Sequence, residues 1–286
     1  MRHTIEFKFG SFLPPPVVDA MKLQLGDLVP KEMIVQVKGQ KAYTSMGRMV
    51  MVADYARGVI TLMDPKGQRF ATSPMADYVD KIAVIQKQRM PVMPPEVQQI
   101  FAKMRFDATT DRTGKTATIQ GMGAEEYLLT ISIEVPNPAG PAMQTRMEMH
   151  QWRAKAEEVN RIPALKELEV YAAMPKSGMD PLEMVTKSMA AFPGMADKIR
   201  SSLDEIMKSA GKGILRMQTG IYMSAMANLV EGAGGQPVVE YSMELAELSS
   251  APVADSRFEV PAGYQSAPME ELVAVLFPAP KPAVPR

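Results

Sequence analysis

The chain has 286 residues, 46% of them hydrophobic and 22% charged, and its 32 basic side chains balance its 32 acidic ones. That composition fits a globular domain and excludes a wholly disordered chain or a helical membrane bundle, and the zero net charge leaves no global field to draw the chain to nucleic acid. Cysteine is absent and histidine occurs only at His3 and His150, which excludes thiol chemistry, disulfides, Cys/His zinc sites and multi-histidine metal sites.

Ile5, Phe7 and Phe9 alternate with Glu6 and Lys8, which predicts an opening strand. Met1-Arg2-His3 ahead of it lacks the apolar stretch of a secretory leader, so the chain reads as cytoplasmic or as a mature exported form. Over 31–73 several short strands follow, Met33, Val35 and Val37 opposing Ile34, Gln36 and Lys38. Gly39, Asp54–Gly58 and Asp64-Pro65-Lys66-Gly67 separate these strands into antiparallel hairpins, the last with Pro and Gly where a type I turn with a bulge needs them. Short helices are predicted over 74–88 and 94–103. After residue 103 a second strand series begins, with turns at Asp111–Gly114 and Gly121–Gly123 and a longer loop at Asn137–Pro141.

The longest strands alternate most cleanly. Tyr127, Leu129, Ile131, Ile133 and Val135 oppose Thr130, Ser132 and Glu134; Met143, Met147 and Met149 oppose Gln144, Arg146, Glu148 and His150. Leu215, Met217, Ile221 and Met223 oppose Arg216 and Gln218, and Val239, Tyr241, Met243 and Leu245 oppose Glu240, Ser242 and Glu244. One apolar and one wet face predict an antiparallel sheet covered on one side only. Helices are expected over 163–173 and as a hairpin over 181–210. The hairpin opens at Asp180-Pro181-Leu182-Glu183, carries Leu182, Val185, Met189 and Phe192 on one stripe, breaks at Pro193-Gly194, and continues with Met195, Ile199, Leu203 and Ile206. The reading is one α+β domain over 1–277 with a large curved antiparallel sheet, a helical-hairpin insert at 175–211, and a Pro-rich extended tail at 278–286.

Catalytic motifs are missing: there is no Walker A, G-x-G-x-x-G or G-x-S-x-G. Ser209-Ala210-Gly211-Lys212 matches S-x-x-K, but it falls at a helix end without the companion elements, so Lys212 reads as a cap. The pairs Glu125-Glu126, Glu157-Glu158 and Glu270-Glu271 are adjacent, point to opposite faces of a strand, and read as solvated charges. His150, on a polar face, reads as structural. No catalytic residue, metal ligand or cofactor is expected.

Methionine, at 26 residues, is the unusual count. Its flexible, polarizable side chain suits irregular cores and surfaces for varied apolar partners. The strand methionines share parity with the aliphatic residues, so the candidate ligand-binding set is Met147, Met149, Leu215, Met217, Met223, Tyr241, Met243 and Leu245 on the sheet, with Met189 and Leu203 on the hairpin. Two readings stay open: an adaptable apolar cavity between sheet and helices, or a core that the helices simply fill.

Three stretches carry a resemblance. Phe258-Glu259-Val260-Pro261-Ala262-Gly263-Tyr264 with Met269 resembles the F-x-[IV]-P-x-G-[YF] ending of bacterial exported domains of unknown function related to the LolA-like lipoprotein-carrier superfamily. The region Val37 to Phe70 is similar to their early meander, with Lys38-Gly39-Gln40-Lys41, Gly58, Leu62-Met63-Asp64-Pro65 and Arg69-Phe70. Trp152 after a long strand, followed by Ile162-Pro163-Ala164-Leu165, is in keeping with that group. The resemblance implies a half-open β-barrel with helices on its concave face, a periplasmic or cell-envelope location, and binding of acyl chains or of a protein partner. The expected function is a non-enzymatic extracytoplasmic binding protein holding a lipid or acyl chain between sheet and helices. The alternative is an envelope interaction or sensor protein with a packed interior that binds a partner polypeptide. Neither reading involves nucleic acid or integral membrane insertion.

Overall fold

The computed structural model describes residues 1–25, 30–89, 103–137, 140–173, 213–224 and 235–276. These form an α+β fold built on one open twelve-stranded sheet, in the order β12-β6-β5-β4-β3-β2-β1-β11-β10-β9-β8-β7. The strands are β1 (Arg2–Phe9), β2 (Glu32–Lys38), β3 (Lys41–Met46), β4 (Met49–Asp54), β5 (Val59–Asp64), β6 (Arg69–Pro74), β7 (Arg105–Ile119), β8 (Met122–Val135), β9 (Met143–Ala154), β10 (Ile214–Met223), β11 (Val239–Glu247) and β12 (Gln265–Ser266). Five α-helices accompany them among the described residues, α1 (Pro15–Leu25), α2 (Met75–Arg89), α3 (Ala156–Arg161), α4 (Pro163–Ala173) and α5 (Met269–Leu276), with a short 3-10 helix at Asp255–Phe258.

Every pairing is antiparallel except that of β12 with β6, which corrects the wholly antiparallel expectation. That exception follows from the returning chain: Gln265 and Ala267 donate to the carbonyls of Gln68 and Phe70, adding a two-residue edge beside β6. β1 is the seam between two halves. It pairs with β11 from Arg2↔Glu247 to Phe9↔Val239, but with β2 only at Arg2, His3 and Thr4.

The registers carry one face across the whole sheet. Ala71, Leu62, Met51, Thr44 and Val35 are successive partners in the meander. Met33 stands opposite His3 on that face, and two residues along β1 the row Ile5, Met243, Met217, Gln151 and Tyr127 continues it through the longer strands. In the meander this face is covered by Met75, Tyr78 and Ile85 of α2 and Met269, Leu272 and Val273 of α5, which pack on Ala42, Met49, Ala53, Ile60, Leu62 and Ala71. We call it the helix face.

The meander is not one-sided. Tyr43, Val50, Val52 and Met63 point the other way and pack under Phe258, Val253, Val260 and Tyr264 of the segment that follows β11. The near-continuous apolar runs in β4 and β5 suit strands buried on both faces. The Phe258–Tyr264 motif is thus structural: Phe258 is buried, Arg257 lies 4.0 Å over the Tyr43 ring, and Gly263 adopts φ 88°. A third core closes the far end, where Val159 of α3 and Leu165 of α4 meet Ile119, Met122, Ala124, Ala154, Leu215 and Leu245.

The helices expected over 74–88 and 163–173 correspond to α2 and α4. The helix expected at 94–103 lies almost wholly outside the described residues; the hairpin, the 175–211 insert that contains it and the 278–286 tail lie outside altogether. Two turns shift. The left-handed residue after Asp64 is Gln68 (φ 49°), not Gly67, whose absent Cβ is needed because one there would sit 2.6 Å from the Asp64 carboxylate. The β7–β8 connection is the two-residue Gln120-Gly121 turn, both at positive φ, as a tight hairpin requires. Asp111–Gly114 is no turn: β7 runs through it with a bulge between Arg112 and Thr116, and Gly114 takes φ 75°.

Candidate functional site

On the helix face, β7 to β9 build a compact apolar tract. Tyr127, Leu129 and Ile131 are buried, and Phe106, Ala108, Ile133, Met147 and Met149 pack around them. The registers Leu129↔Met149↔Thr219 and Ile131↔Met147↔Ile221 hold these side chains in rows across β8, β9 and β10. Among the described residues, no helix contributes to this cluster, in contrast to the helix-covered meander.

Six of the ten candidate residues share this part of the face. Met147, Met149 and Met217 are half-buried, Met243 is buried opposite Met217, Tyr241 is half-buried with its phenol pKa raised by burial, and Met223 is 42% exposed. Leu215 and Leu245 are fully buried, but in the end core under α3 and α4, where the bulge between Ile214 and Arg216 displaces β10. Met189 and Leu203 lie outside the described residues. A cleft of about 310 Å³ opens elsewhere, at the seam between Ile34–Val37, Leu168 and Ser249–Val253, and none of the ten residues lines it.

Polar residues missed at first stand beside the apolar tract. Gln151 and Arg153 continue the parity of Met147 and Met149 and are both buried. Arg153 donates from Nε and Nη2 to Gln151 Oε1 at 3.1 and 2.7 Å, and Gln151 Nε2 lies 2.9 Å from the Met149 sulfur. Burial lowers the Arg153 pKa to about 10, so the guanidinium remains charged at neutral pH. His3, also buried, bonds the Ile214 carbonyl through Nε2 at 3.1 Å, while its Nδ1 has no hydrogen-bond partner; burial, the largest influence, lowers its pKa.

The opposite face carries a charged network. Glu126 is buried rather than solvated, which corrects the expectation for that acidic pair: Thr113 donates to its carboxylate at 2.6 Å, His150 Nδ1 lies at 2.9 Å and Lys115 Nζ at 3.3 Å. The β7 bulge makes this possible by folding Thr113 and Lys115 back over β8. Burial pushes the Glu126 carboxyl up, but Thr113, His150 and Lys115 together outweigh it and hold it below the usual range. His150 stacks on Trp152 at 6.0 Å, and Trp152 lies under Arg216, which grips Glu244 at 2.8 and 2.9 Å. Glu125, by contrast, points to the helix face and pairs with Arg112. Among the described residues, no group of three or more His, Asp or Glu side chains is placed to hold a metal ion. Nor is any described helix long and apolar enough to cross a membrane.

Comparisons with protein-family models, with curated proteins and with solved structures find no match to this chain.

Proposed function

We propose that this chain is a non-enzymatic binding protein that holds a lipophilic molecule, a lipid or an acyl chain, against the helix face of its long strands, in an extracytoplasmic setting. The observation that supports this reading is the apolar tract of Tyr127, Leu129, Ile131, Met147 and Met149, continued by the Met217–Met243 pair. Methionine and aliphatic side chains offer adaptable, unspecific contact to a flexible hydrocarbon, and stabilise it chiefly through the apolar area withdrawn from water.

The test uses Nile red, a neutral lipophilic dye, and the substitution Met217→Trp. On this reading the wild type binds the dye saturably, and the bulkier indole weakens binding while leaving the melting temperature close to its original value. If the face is instead a filled core, the wild type binds no dye and Met217→Trp overpacks it, costing about 1–3 kcal/mol. That pair of results would replace the carrier reading with one of a packed interaction domain.

A further inference from the structure

We propose that Arg153 is the head-group site of this face and takes the carboxylate of a long-chain fatty acid whose tail runs along Met149, Leu129, Met147 and Ile131. The inference rests on the reading of the face as a lipophile site and names the ligand class.

Arg153 is only 7% exposed. Among the described residues no carboxylate lies within ion-pair distance of it, and Glu125, directly opposite in the β8–β9 register, is turned to Arg112. Of the buried acids, Asp64 is countered by Arg48 and Arg69 and Glu126 by Lys115, while Asp54 accepts from the Arg57 amide. A buried charge without a counter-charge is strongly disfavoured, so an incoming anion would gain the full benefit of pairing in a poorly solvated place. The geometry selects a planar anion. Nε and one Nη2 hydrogen are used on Gln151, which leaves the Nη1/Nη2 edge with two parallel N–H groups, the fork that matches a carboxylate. Met147 is six residues back along β9 from Arg153, about 20 Å at a strand's rise per residue, a span that a long acyl chain covers.

Displacement of Nile red by palmitate, hexadecanol and hexadecyl phosphate, each below its micellar concentration, tests the proposal. Palmitate should outcompete the equally long alcohol roughly 10- to 100-fold, the value of a charged hydrogen-bonded contact. Arg153→Gln should erase that gap and leave hexadecanol unchanged, while Arg153→Lys, which keeps the charge and loses the fork, should fall between. Equal displacement by acid and alcohol overturns the proposal, as does a gap that survives Arg153→Gln. Stronger displacement by hexadecyl phosphate than by palmitate also overturns it, pointing to a phospholipid head. The acid-to-alcohol comparison on the wild type decides the matter even if neither variant folds. Failure of the dye to bind at all would instead remove the lipophile reading, and this inference with it.

Discussion

The two halves of the sheet solve the problem of burial differently. In the meander, the six-residue strands β3 to β6 are packed on both faces, by α2 and α5 on one side and by the Phe258–Tyr264 segment on the other. The longer strands β7–β11 build a charged network on one face, around Glu126, His150 and Trp152, and gather apolar side chains on the other, where Arg153 and the Arg112–Glu125 pair stand at one end of the tract. Even their buried acids differ. Asp64 caps a turn, holding Gly67 N–H and the Arg48 guanidinium between adjacent strands, whereas Glu126 ties a bulge in β7 to a histidine on β9. The lesson is that the first half covers both faces from its own chain, whereas the second gathers an apolar tract to which no described helix contributes.

The sharpest way to break that contrast is to place a charge in each half. Ile60→Asp, at a fully buried meander position, should cost more than about 4 kcal/mol and prevent cooperative folding, whereas Met223→Asp, at a 42% exposed position, should change stability by no more than about 0.5 kcal/mol. Comparable losses in urea denaturation would mean that both halves are equally packed. Truncation makes a finer comparison: Leu62→Ala should cost about 2–5 kcal/mol and Met147→Ala, from a half-buried side chain, under about 2 kcal/mol. On the charged face, Glu126→Gln should cost about 1–3 kcal/mol because Lys115 and His150 lose an ionised acceptor, while Glu125→Gln, in an exposed pair with Arg112, should stay within about 0.5 kcal/mol.

Acid should reveal the smallest effect first. His3 has a folded-state pKa below its unfolded value of about 6.5, so its contribution is whole above that pH and is lost as pH falls from there toward the folded value. Melting temperature should therefore decline between pH 7 and 5, and His3→Gln should flatten that decline; an unchanged slope in the variant would assign the loss to other groups. Asp64, whose burial is outweighed by its bonds to Arg48, Gly67 and Arg69, and Glu126 both have lowered pKa values. Their contributions persist until pH drops below about 4, and are lost as pH falls through their folded values.

Strand parity made much of this legible, because side chains two apart share a face whatever the tertiary context. The same rule, carried two steps past Met149, places Gln151 and Arg153 on the apolar face, a signal available in the sequence and left unused. The burial of Glu126 was not legible. It depends on Thr113 and Lys115 being returned by a bulge, and Gly114 gives a turn and a bulge the same local appearance. Helices α1 and α5 were not among the expected helices; α1 opens on Pro15-Pro16 and α5 follows Pro268, and proline is well tolerated at a helix's start. The two-sided packing of the meander depends on residues 253–264, some two hundred positions away, and no local pattern announces such a partner.

The place of β1 has a consequence for the order in which the molecule assembles. From β2 to β6 each strand pairs with the next in sequence across a loop of a few residues, and local pairing of this kind is quick to form. β1 must instead find β11, joining Arg2 to Glu247 across 245 positions. Its three-residue contact with β2 gives it little hold until β11 is in place. The meander is thus the part suited to form early, and the sheet that would present the apolar face is completed only when the first strand meets one of the last.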